Sequence, residues 1–148
     1  MVRWKFSRAF KFEITRDSMV IDTSALIAIL LNEPEASEFV DVITKDPVRK
    51  LSAPSFHEAS TVMFHKVGPA GVEDLDRLIS TLKISVVPFE EEHVEYSREG
   101  QQNYGAGFHP AKLNLGDCFS YALAKETGES LLFKGNDFNQ TDIPAVII

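Results

Sequence analysis

The sequence predicts an α/β fold of three layers, in which helices cover both faces of a central, mostly parallel sheet. Short apolar segments alternate along the chain with longer segments of helical periodicity, an order typical of parallel strands joined by crossover helices. The chain has 148 residues, 44% of them hydrophobic and 25% charged, which suits one globular domain with a substantial core. We therefore expect right-handed crossovers between neighbouring strands.

The first half of the chain contains two predicted strands and four predicted helices. A short apolar run ends at Asp22-Thr23-Ser24, which is typical of a strand followed by a helix N-cap. Asn32-Glu33-Pro34 separates the first two helices, and Pro54 suits the first turn of the third. In order along the chain, strands are predicted at residues 19–21 and 50–53, and helices at residues 25–31, 35–44, 54–67 and 72–82.

The second half contains three predicted strands and two predicted helices. The first of these helices is polar, and Val94 is its clearest apolar contact. The second presents Cys118, Phe119, Ala122 and Leu123 on its inward face. Strands are predicted at residues 84–87, 131–133 and 145–148, helices at 90–104 and 116–126, a loop rich in Gly and Pro at 105–113, and a turn at 135–137.

The first 18 residues differ in pattern from the rest of the chain. Aromatic and aliphatic residues alternate there with charged ones, a pattern that fits either an added strand or a basic tail. Met19 then opens a self-contained α/β pattern. We expect an N-terminal extension of unknown role at residues 1–18 and a single domain at residues 19–148.

Bulk properties exclude several classes of protein. The longest unbroken apolar run, at residues 25–31, is far shorter than the ~20 residues needed to span a bilayer, so no membrane partner is expected. Cys118 is the single cysteine and cannot form an internal disulfide, which fits a cytoplasmic protein. The net charge of -7 argues against broad electrostatic attraction to nucleic acid, although carboxylates that bind cations would contribute to it.

Acidic residues follow or adjoin the predicted strands at several separate points. The carboxyl ends of parallel strands share one edge of a sheet, where ligands of open α/β proteins bind. Each acid also has a structural interpretation, as a helix cap, a capping-box partner or a turn residue. The four acids expected at this edge are Asp22, Glu58, Asp117 and Asp137.

Together these four acids predict a cation site. No basic residue is adjacent in sequence to any of them, so crowded carboxylates would repel one another and raise their pKa values. A hard divalent cation such as Mg²⁺ or Mn²⁺ removes that repulsion and suits oxygen ligands. Such a site could hydrolyse a phosphodiester bond, with Ser24 holding a metal-bound water or capping the helix.

Several segments in order resemble the PIN-domain family, and most closely the VapC ribonucleases of VapBC toxin–antitoxin pairs. Residues 19–26, which contain Asp22-Thr23-Ser24, are similar to the opening of that family. Glu58 in its helix matches as well, and the resemblance extends from Met19 to the C-terminus. Further matching segments are residues 107–118, which contain His109-Pro110-Ala111, residues 132–138, which contain Gly135-Asn136-Asp137-Phe138, and Thr141-Asp142-Ile143.

The resemblance implies an α/β/α PIN fold, a Mg²⁺ or Mn²⁺ site and endoribonuclease activity. It also implies inhibition by a VapB-type antitoxin, a toxin homodimer and a toxin–antitoxin hetero-oligomer. Asp22, Glu58 and Asp117 carry over as catalytic metal ligands. Many relatives place the fourth acid where this chain has Asn136, so we assign Asp137 as the fourth ligand and Asn136 as a supporting one. Asp142 is a further candidate for that role.

RNA contacts are predicted in or near the loop before Asp117. His109, Lys112 and Tyr104 could bind a phosphate or stack on a base. They could equally be solvated loop residues, and His109 before Pro110 could be a structural contact.

Other functions fit the motifs less well. His57-Glu58 begins like a zinc-protease helix, but the second histidine is missing. A phosphatase of the haloacid dehalogenase type would need an acid where Ser24 stands, and a signal-receiver module would need an acid adjacent to Asp22. The remaining alternatives are a PIN nuclease of RNA processing that is not a toxin, and a catalytically silent PIN-like binding module.

Overall fold

The computed structural model describes residues 18–148 and contains a four-stranded sheet in which all strands are parallel. The predicted three-layer α/β fold is confirmed. The strands are β1 (Ser18–Ile21), β2 (Val48–Ser52), β3 (Ser85–Val87) and β4 (Ser130–Leu132). The helices are α1 (Thr23–Leu30), α2 (Ala36–Lys45), α3 (Ala53–Val67), α4 (Pro69–Thr81), α5 (Glu91–Tyr104) and α6 (Leu115–Thr127), and a 3-10 helix spans Asp137–Gln140.

The strand order β3-β2-β1-β4 places β1 in the interior of the sheet. Val20 of β1 is in register with Lys50 of β2 on one side and with Leu131 of β4 on the other. The chain moves outward from β1 to β2 and β3, and then crosses back to add β4 on the opposite side of β1. The direction of winding therefore reverses between β1 and β4, which is where open α/β sheets form a ligand crevice.

Alternation along β1 divides the core into two apolar clusters, one on each face of the sheet. Met19 and Ile21 pack in the cluster covered by helices α1 to α4. Val20 packs in the other cluster, with residues of β4, α6 and the 3-10 helix. These strand residues are fully buried, because both faces of the sheet are covered by other elements.

Some predicted boundaries are wrong by one to three residues. The second strand begins at Val48 and ends at Ser52, while Ala53, predicted as part of it, already belongs to α3. Helix α4 starts at Pro69, because proline is well suited to the first turn of a helix. Strand β3 starts at Ser85 and β4 ends at Leu132, each one residue inside its prediction.

Two predictions about the second half are wrong in kind. The strand predicted at residues 145–148 is only an isolated bridge, in which Ala145 pairs with Leu131, and Ile147 beyond it is 90% exposed. Its aliphatic composition favours a strand, but pairing with β4 does not extend along it. On α5 the buried positions are His93 and Gly100 rather than Val94.

The predicted N-terminal extension lies outside the described residues, apart from Ser18, which belongs to β1. Across the described part of the chain, no helix has the length and apolar character that crossing a membrane requires.

Candidate active site

Asp22 lies at the carboxyl end of β1, where it is the N-cap residue of α1. Its backbone N–H donates to the carbonyl of Leu132 at 2.9 Å, which continues the pairing of β1 with β4 beyond the strands. Its Oδ2 accepts the backbone N–H of Ser24 at 3.0 Å, so the capping interpretation is confirmed. The residue is only 3% exposed, which makes it a buried carboxylate at the crevice between β1 and β4.

Two hydroxyl groups also hold the Asp22 carboxylate. Ser24 Oγ donates to Oδ2 at 2.6 Å, and Ser120 Oγ of α6 donates to Oδ1 at 2.5 Å. These hydroxyl groups, which come from α1 and α6, fix the plane of the carboxylate. An ionised carboxylate has about four lone-pair sites, so these bonds leave acceptor capacity for a ligand.

Asp117 lies in the first turn of α6 and forms a capping box with Asn114. Its backbone N–H donates to Asn114 Oδ1 at 2.8 Å, and its Oδ2 accepts the backbone N–H of Asn114 at 3.0 Å. Burial raises the pKa of Asp117 to about 6, although the hydrogen bond from Asn114 acts in the opposite direction. The negative charges of the other three predicted acids, Asp22, Asp137 and Glu58, add to that increase.

Glu58 lies on α3 and faces Asp22. Burial raises its pKa, the Thr23 side chain acts to lower it, and the charge of Asp22 raises it further. The spacing of Ser55 and Glu58 matches that of a capping box, but no such box forms, because the N-cap of α3 is Ser52 and Ser55 is fully buried. Glu58 therefore does not serve the helix cap that its spacing suggested.

Gly116 brings the Glu58 carboxylate beside Asp117. A Cβ atom placed on Gly116 would lie 1.8 Å from Glu58 Oε2, so the Glu58 carboxylate would have to move away from its present position. The carboxylate thus occupies the space over the glycine Cα, one residue before Asp117. The absence of a side chain at position 116 therefore leaves the Glu58 carboxylate its present place beside Asp117.

The candidates for the fourth position differ in their surroundings. Asp137 begins the 3-10 helix after β4, is exposed and contributes to the electrostatic environment of Asp117. Asn136 is exposed next to it and accepts a hydrogen bond from Asn139 at 3.3 Å. Asp142 instead accepts the Tyr121 hydroxyl at 2.8 Å and pairs with Lys125. Although burial acts to raise it, these two partners hold the pKa of Asp142 below its usual value.

The four predicted acids thus interact electrostatically, but their side chains do not surround one point as the ligands of a bound metal would. Within residues 18–148, no three His, Cys, Asp or Glu side chains have the spacing of a metal-ligand cluster. The donor chemistry nevertheless fits a hard divalent cation, because all four donors are carboxylates and their charges raise the pKa of Asp117.

The loop before Asp117 holds its predicted RNA-contact residues in defined positions. His109 Nδ1 accepts the backbone N–H of Ala111 at 3.0 Å, and its ring meets that of Tyr104 edge to face at 5.1 Å. The structural interpretation of His109 is therefore confirmed. Lys112 is exposed, with a positive φ of 54°. Contact of these side chains with RNA stays a prediction.

Sequence reasoning missed two residues that support Asp22. Ser120 follows Asp117 by three positions on α6, so the two side chains lie on one helix face, a spacing that could have identified it. Lys134 donates its backbone N–H to Ser24 Oγ at 3.0 Å, and its ammonium group pairs with Glu33 and Glu35. No local pattern marks Lys134, because its partners lie about a hundred residues earlier in the chain.

Comparisons with known proteins show the family of the chain. The family model of the PIN domain matches residues 19–144. The ribonuclease VapC of Mycolicibacterium smegmatis is 44% identical over 128 residues, which cover 86% of this chain and 99% of that protein.

Solved structures share the fold at low sequence identity. VapC20 of Mycobacterium tuberculosis, a toxin that cleaves the sarcin-ricin loop, has a TM-score of 0.72 at 15% identity and covers 87% of this chain and 98% of its own. A toxin–antitoxin complex from Klebsiella pneumoniae has a TM-score of 0.63 at 20% identity, over 84% of this chain and 92% of its own. From the family model and the curated relative, the chain belongs to the PIN-domain family and, within it, to the VapC ribonucleases.

Proposed function

We propose that this ribonuclease is a metal-dependent endoribonuclease that hydrolyses RNA phosphodiester bonds with Mg²⁺ or Mn²⁺. Asp22, Glu58 and Asp117 are the protein ligands, and Asp137 is the fourth. The observation that carries the proposal is the convergence of the acids: the Glu58 carboxylate lies against Gly116 beside Asp117, and the charges of Asp22, Asp137 and Glu58 raise the pKa of Asp117. Acids from four separate parts of the chain come within electrostatic range here, and a divalent cation offsets their repulsion.

The residues of the site have different roles in the proposed hydrolysis. Asp22, held by two hydroxyl groups, supplies a carboxylate of fixed orientation. Glu58 or Asp117, whose pKa values are raised, orients the attacking water and accepts its proton. When bound, the cation polarises the scissile phosphate and lowers the pKa of that water.

The biological role that we propose is that of the toxin in a type II toxin–antitoxin pair. Its support is the similarity to a curated VapC ribonuclease and to a solved toxin–antitoxin complex. The partners are then an RNA substrate, a VapB-type antitoxin and a second copy of the chain. We place the protein in the cytoplasm, with residues 19–148 as a single domain and residues 1–18 as an extension.

Cleavage of a fluorescent structured RNA tests the nuclease proposal. We expect cleavage with Mg²⁺, none with EDTA, and a loss of at least about 100-fold in Asp22→Asn, because a metal ligand is removed. Asp74→Asn, an exposed acid paired with Arg77 on α4, is the matched control and retains activity. Cleavage that persists in EDTA, or in Asp22→Asn, would contradict metal-dependent catalysis at this site.

The same assay identifies the fourth ligand. Asp137→Asn should reduce cleavage and raise the Mg²⁺ concentration at half-maximal rate. Asp142→Asn should leave that concentration unchanged, because Asp142 is paired with Lys125. The opposite pattern would assign Asp142 to the site.

Expression in a bacterial host tests the toxin role separately. We expect growth arrest that is relieved by co-expression of a small protein encoded next to this gene. Normal growth and translation during overproduction would leave a nuclease of RNA processing as the biological role.

A further inference from the structure

A pair of buried serines lies beneath the acidic site, between helices α3 and α6. Ser120 Oγ lies 2.5 Å from Asp22 Oδ1 and 3.3 Å from Ser55 Oγ. Both serines are fully buried. Buried hydroxyl groups cost free energy unless each is hydrogen-bonded. If this contact between the helices were purely structural, two alanine residues would fill it at a lower cost in free energy than two serines.

The hydrogen bonds of this pair have a defined direction. A carboxylate only accepts, so the single hydrogen of the Ser120 hydroxyl is committed to Asp22. Ser55 must then donate its own hydrogen to Ser120 Oγ. Ser55 is itself tied to the site, because its carbonyl accepts the Thr23 hydroxyl at 3.1 Å. The three side chains therefore form one chain of hydrogen bonds, in which Ser55 donates to Ser120 and Ser120 donates to Asp22.

The other oxygen of Asp22 has an equivalent arrangement. Lys134 donates its backbone N–H to Ser24 Oγ at 3.0 Å, and Ser24 donates its hydroxyl to Asp22 Oδ2 at 2.6 Å. Each carboxylate oxygen thus accepts from a hydroxyl that itself accepts a hydrogen bond, which favours the orientation in which the hydroxyl donates to Asp22. Groups from α1, from α6 and from the segment after β4 together fix the plane of this carboxylate.

We propose that Ser120 is a positioning residue for Asp22, and that Ser55 holds the Ser120 hydroxyl in its donating orientation. The inference rests on the proposed role of Asp22 as a metal ligand. Because Ser120 and Asp117 lie one turn apart on α6, that helix sets the orientation of one ligand while it carries another. A partner that orients a metal-binding carboxylate affects metal affinity without touching the metal.

Metal binding to the full chain tests the role of Ser120 without depending on activity. Isothermal titration calorimetry with Mn²⁺ should show binding weakened about 10- to 100-fold in Ser120→Ala. Ser55→Ala should show a smaller loss in the same direction. Ser60→Ala is the matched control, since its hydroxyl bonds only the Phe56 carbonyl of its own helix at 3.0 Å, and its Mn²⁺ affinity should equal that of the wild type.

Further measurements separate a positioning role from a structural one. Urea unfolding of each variant measures its stability. In cleavage assays at limiting Mn²⁺, kcat and KM for RNA should show that Ser120→Ala is less active than the wild type. If Ser120→Ala does not fold, Ser120→Cys carries the test, because its thiol keeps the volume but is a weak donor. Wild-type Mn²⁺ affinity in a folded Ser120 variant would overturn the proposal. Wild-type Mn²⁺ affinity in Asp22→Asn would instead overturn the proposed function itself.

Discussion

At the scale of single residues, the close approach of Glu58 to Gly116 shows how the site depends on one missing side chain. The carboxylate of Glu58 fills the space where any Cβ at position 116 would lie. Gly116 lies in the first turn of α6, where glycine has no advantage of its own for helix formation. We attribute glycine at this position to the contact between α3 and α6 rather than to the backbone.

Substitution Gly116→Ala should therefore impair activity more than stability. We expect RNA cleavage to fall by at least about 10-fold, because Glu58 is displaced from Asp117 and misplaced catalytic groups are costly. The free energy of unfolding should change by less than about 1 kcal/mol. Alanine has the higher helix propensity, and the displaced Glu58 carboxylate lies at the rim of the active site rather than in the core. The measurements are cleavage kinetics and urea unfolding, and unchanged kinetics would show that Glu58 is not needed in its present place.

The raised pKa of Asp117 predicts how stability depends on pH. Its value of about 6 in the folded protein is above the ordinary 3.8, so between these values the folded state binds more protons than the unfolded state. The stabilisation that Asp117 contributes is present below pH ~4 and is lost as the pH rises through about 6. In EDTA at pH 8, Asp117→Asn should thus be more stable than the wild type, by about 1 kcal/mol after allowance for solvent screening.

Thermal unfolding in EDTA at pH 4.5 and pH 8 measures this effect. The difference between variant and wild type should shrink at the lower pH, and a difference that does not change with pH would contradict the assignment. At limiting Mg²⁺, cleavage by the wild type should fall as the pH drops through about 6, because protons then compete with the metal for the carboxylate.

At the scale of elements, α6 is packed tightly against α5. A Cβ placed on Gly100 of α5 would lie 2.7 Å from Tyr121 Cδ1, and the Tyr121 ring is fully buried. The polar sequence of α5 predicts a helix with one apolar contact at Val94, whereas Gly100, which has no side chain, is a buried position of α5 that lies against the Tyr121 ring. Gly100 thus allows α5 and α6 to pack closely, just as Gly116 leaves space on α6 for the Glu58 side chain of α3.

Substitution Gly100→Ala should destabilise the protein despite the higher helix propensity of alanine. Propensity favours alanine by about 1 kcal/mol, whereas overpacking against a rigid ring costs about 1–3 kcal/mol. We expect a net loss of about 1 kcal/mol in the free energy of unfolding measured with urea. Gln102→Ala, at an exposed position of the same helix, controls for propensity alone, and a stabilised Gly100→Ala would show that α5 can shift without cost.

At the scale of the whole molecule, the topology brings the site together while the charge restricts how it can bind RNA. The winding reverses between β1 and β4, so Asp22 and the segment that carries Asp137 meet at one crevice. The chain has a net charge of -7, so long-range attraction to RNA is weak. We expect the bound cation, rather than a basic surface, to supply much of the attraction for phosphate.

RNA affinity should therefore depend only weakly on salt. Fluorescence anisotropy of a cleavage-deficient Glu58→Gln protein in Mg²⁺ should give a slope of log K against log salt shallower than about -3, which corresponds to few phosphate contacts. Lys112→Ala should reduce the slope by about 0.7 if Lys112 contacts a phosphate, whereas the exposed Lys45→Ala should not change it. A slope near -6 would show that a basic surface dominates binding.

Local sequence patterns were sufficient to predict the order of the described strands and helices up to β4, and they single out two of the proposed acidic ligands. Asp22 follows an apolar strand and caps a helix, and Asp117 completes a capping box with Asn114, so both are marked by neighbours within a few residues. Periodicity and capping are properties of short segments, and this is why such elements could be predicted. The segment at residues 145–148 has the composition of a strand, yet only the tertiary structure shows that pairing with β4 stops after one bridge.

What the sequence by itself determined is therefore the α/β pattern and the family, and it also supplied the four acids that we propose as metal ligands. Only the tertiary structure decided which groups support those acids: Ser120 holds Asp22 across 98 positions of the chain, and Gly116 makes room for Glu58. Such contacts depend on how helices approach one another in space. Because close packing between distant segments leaves no periodic trace in the sequence, local patterns cannot reveal them.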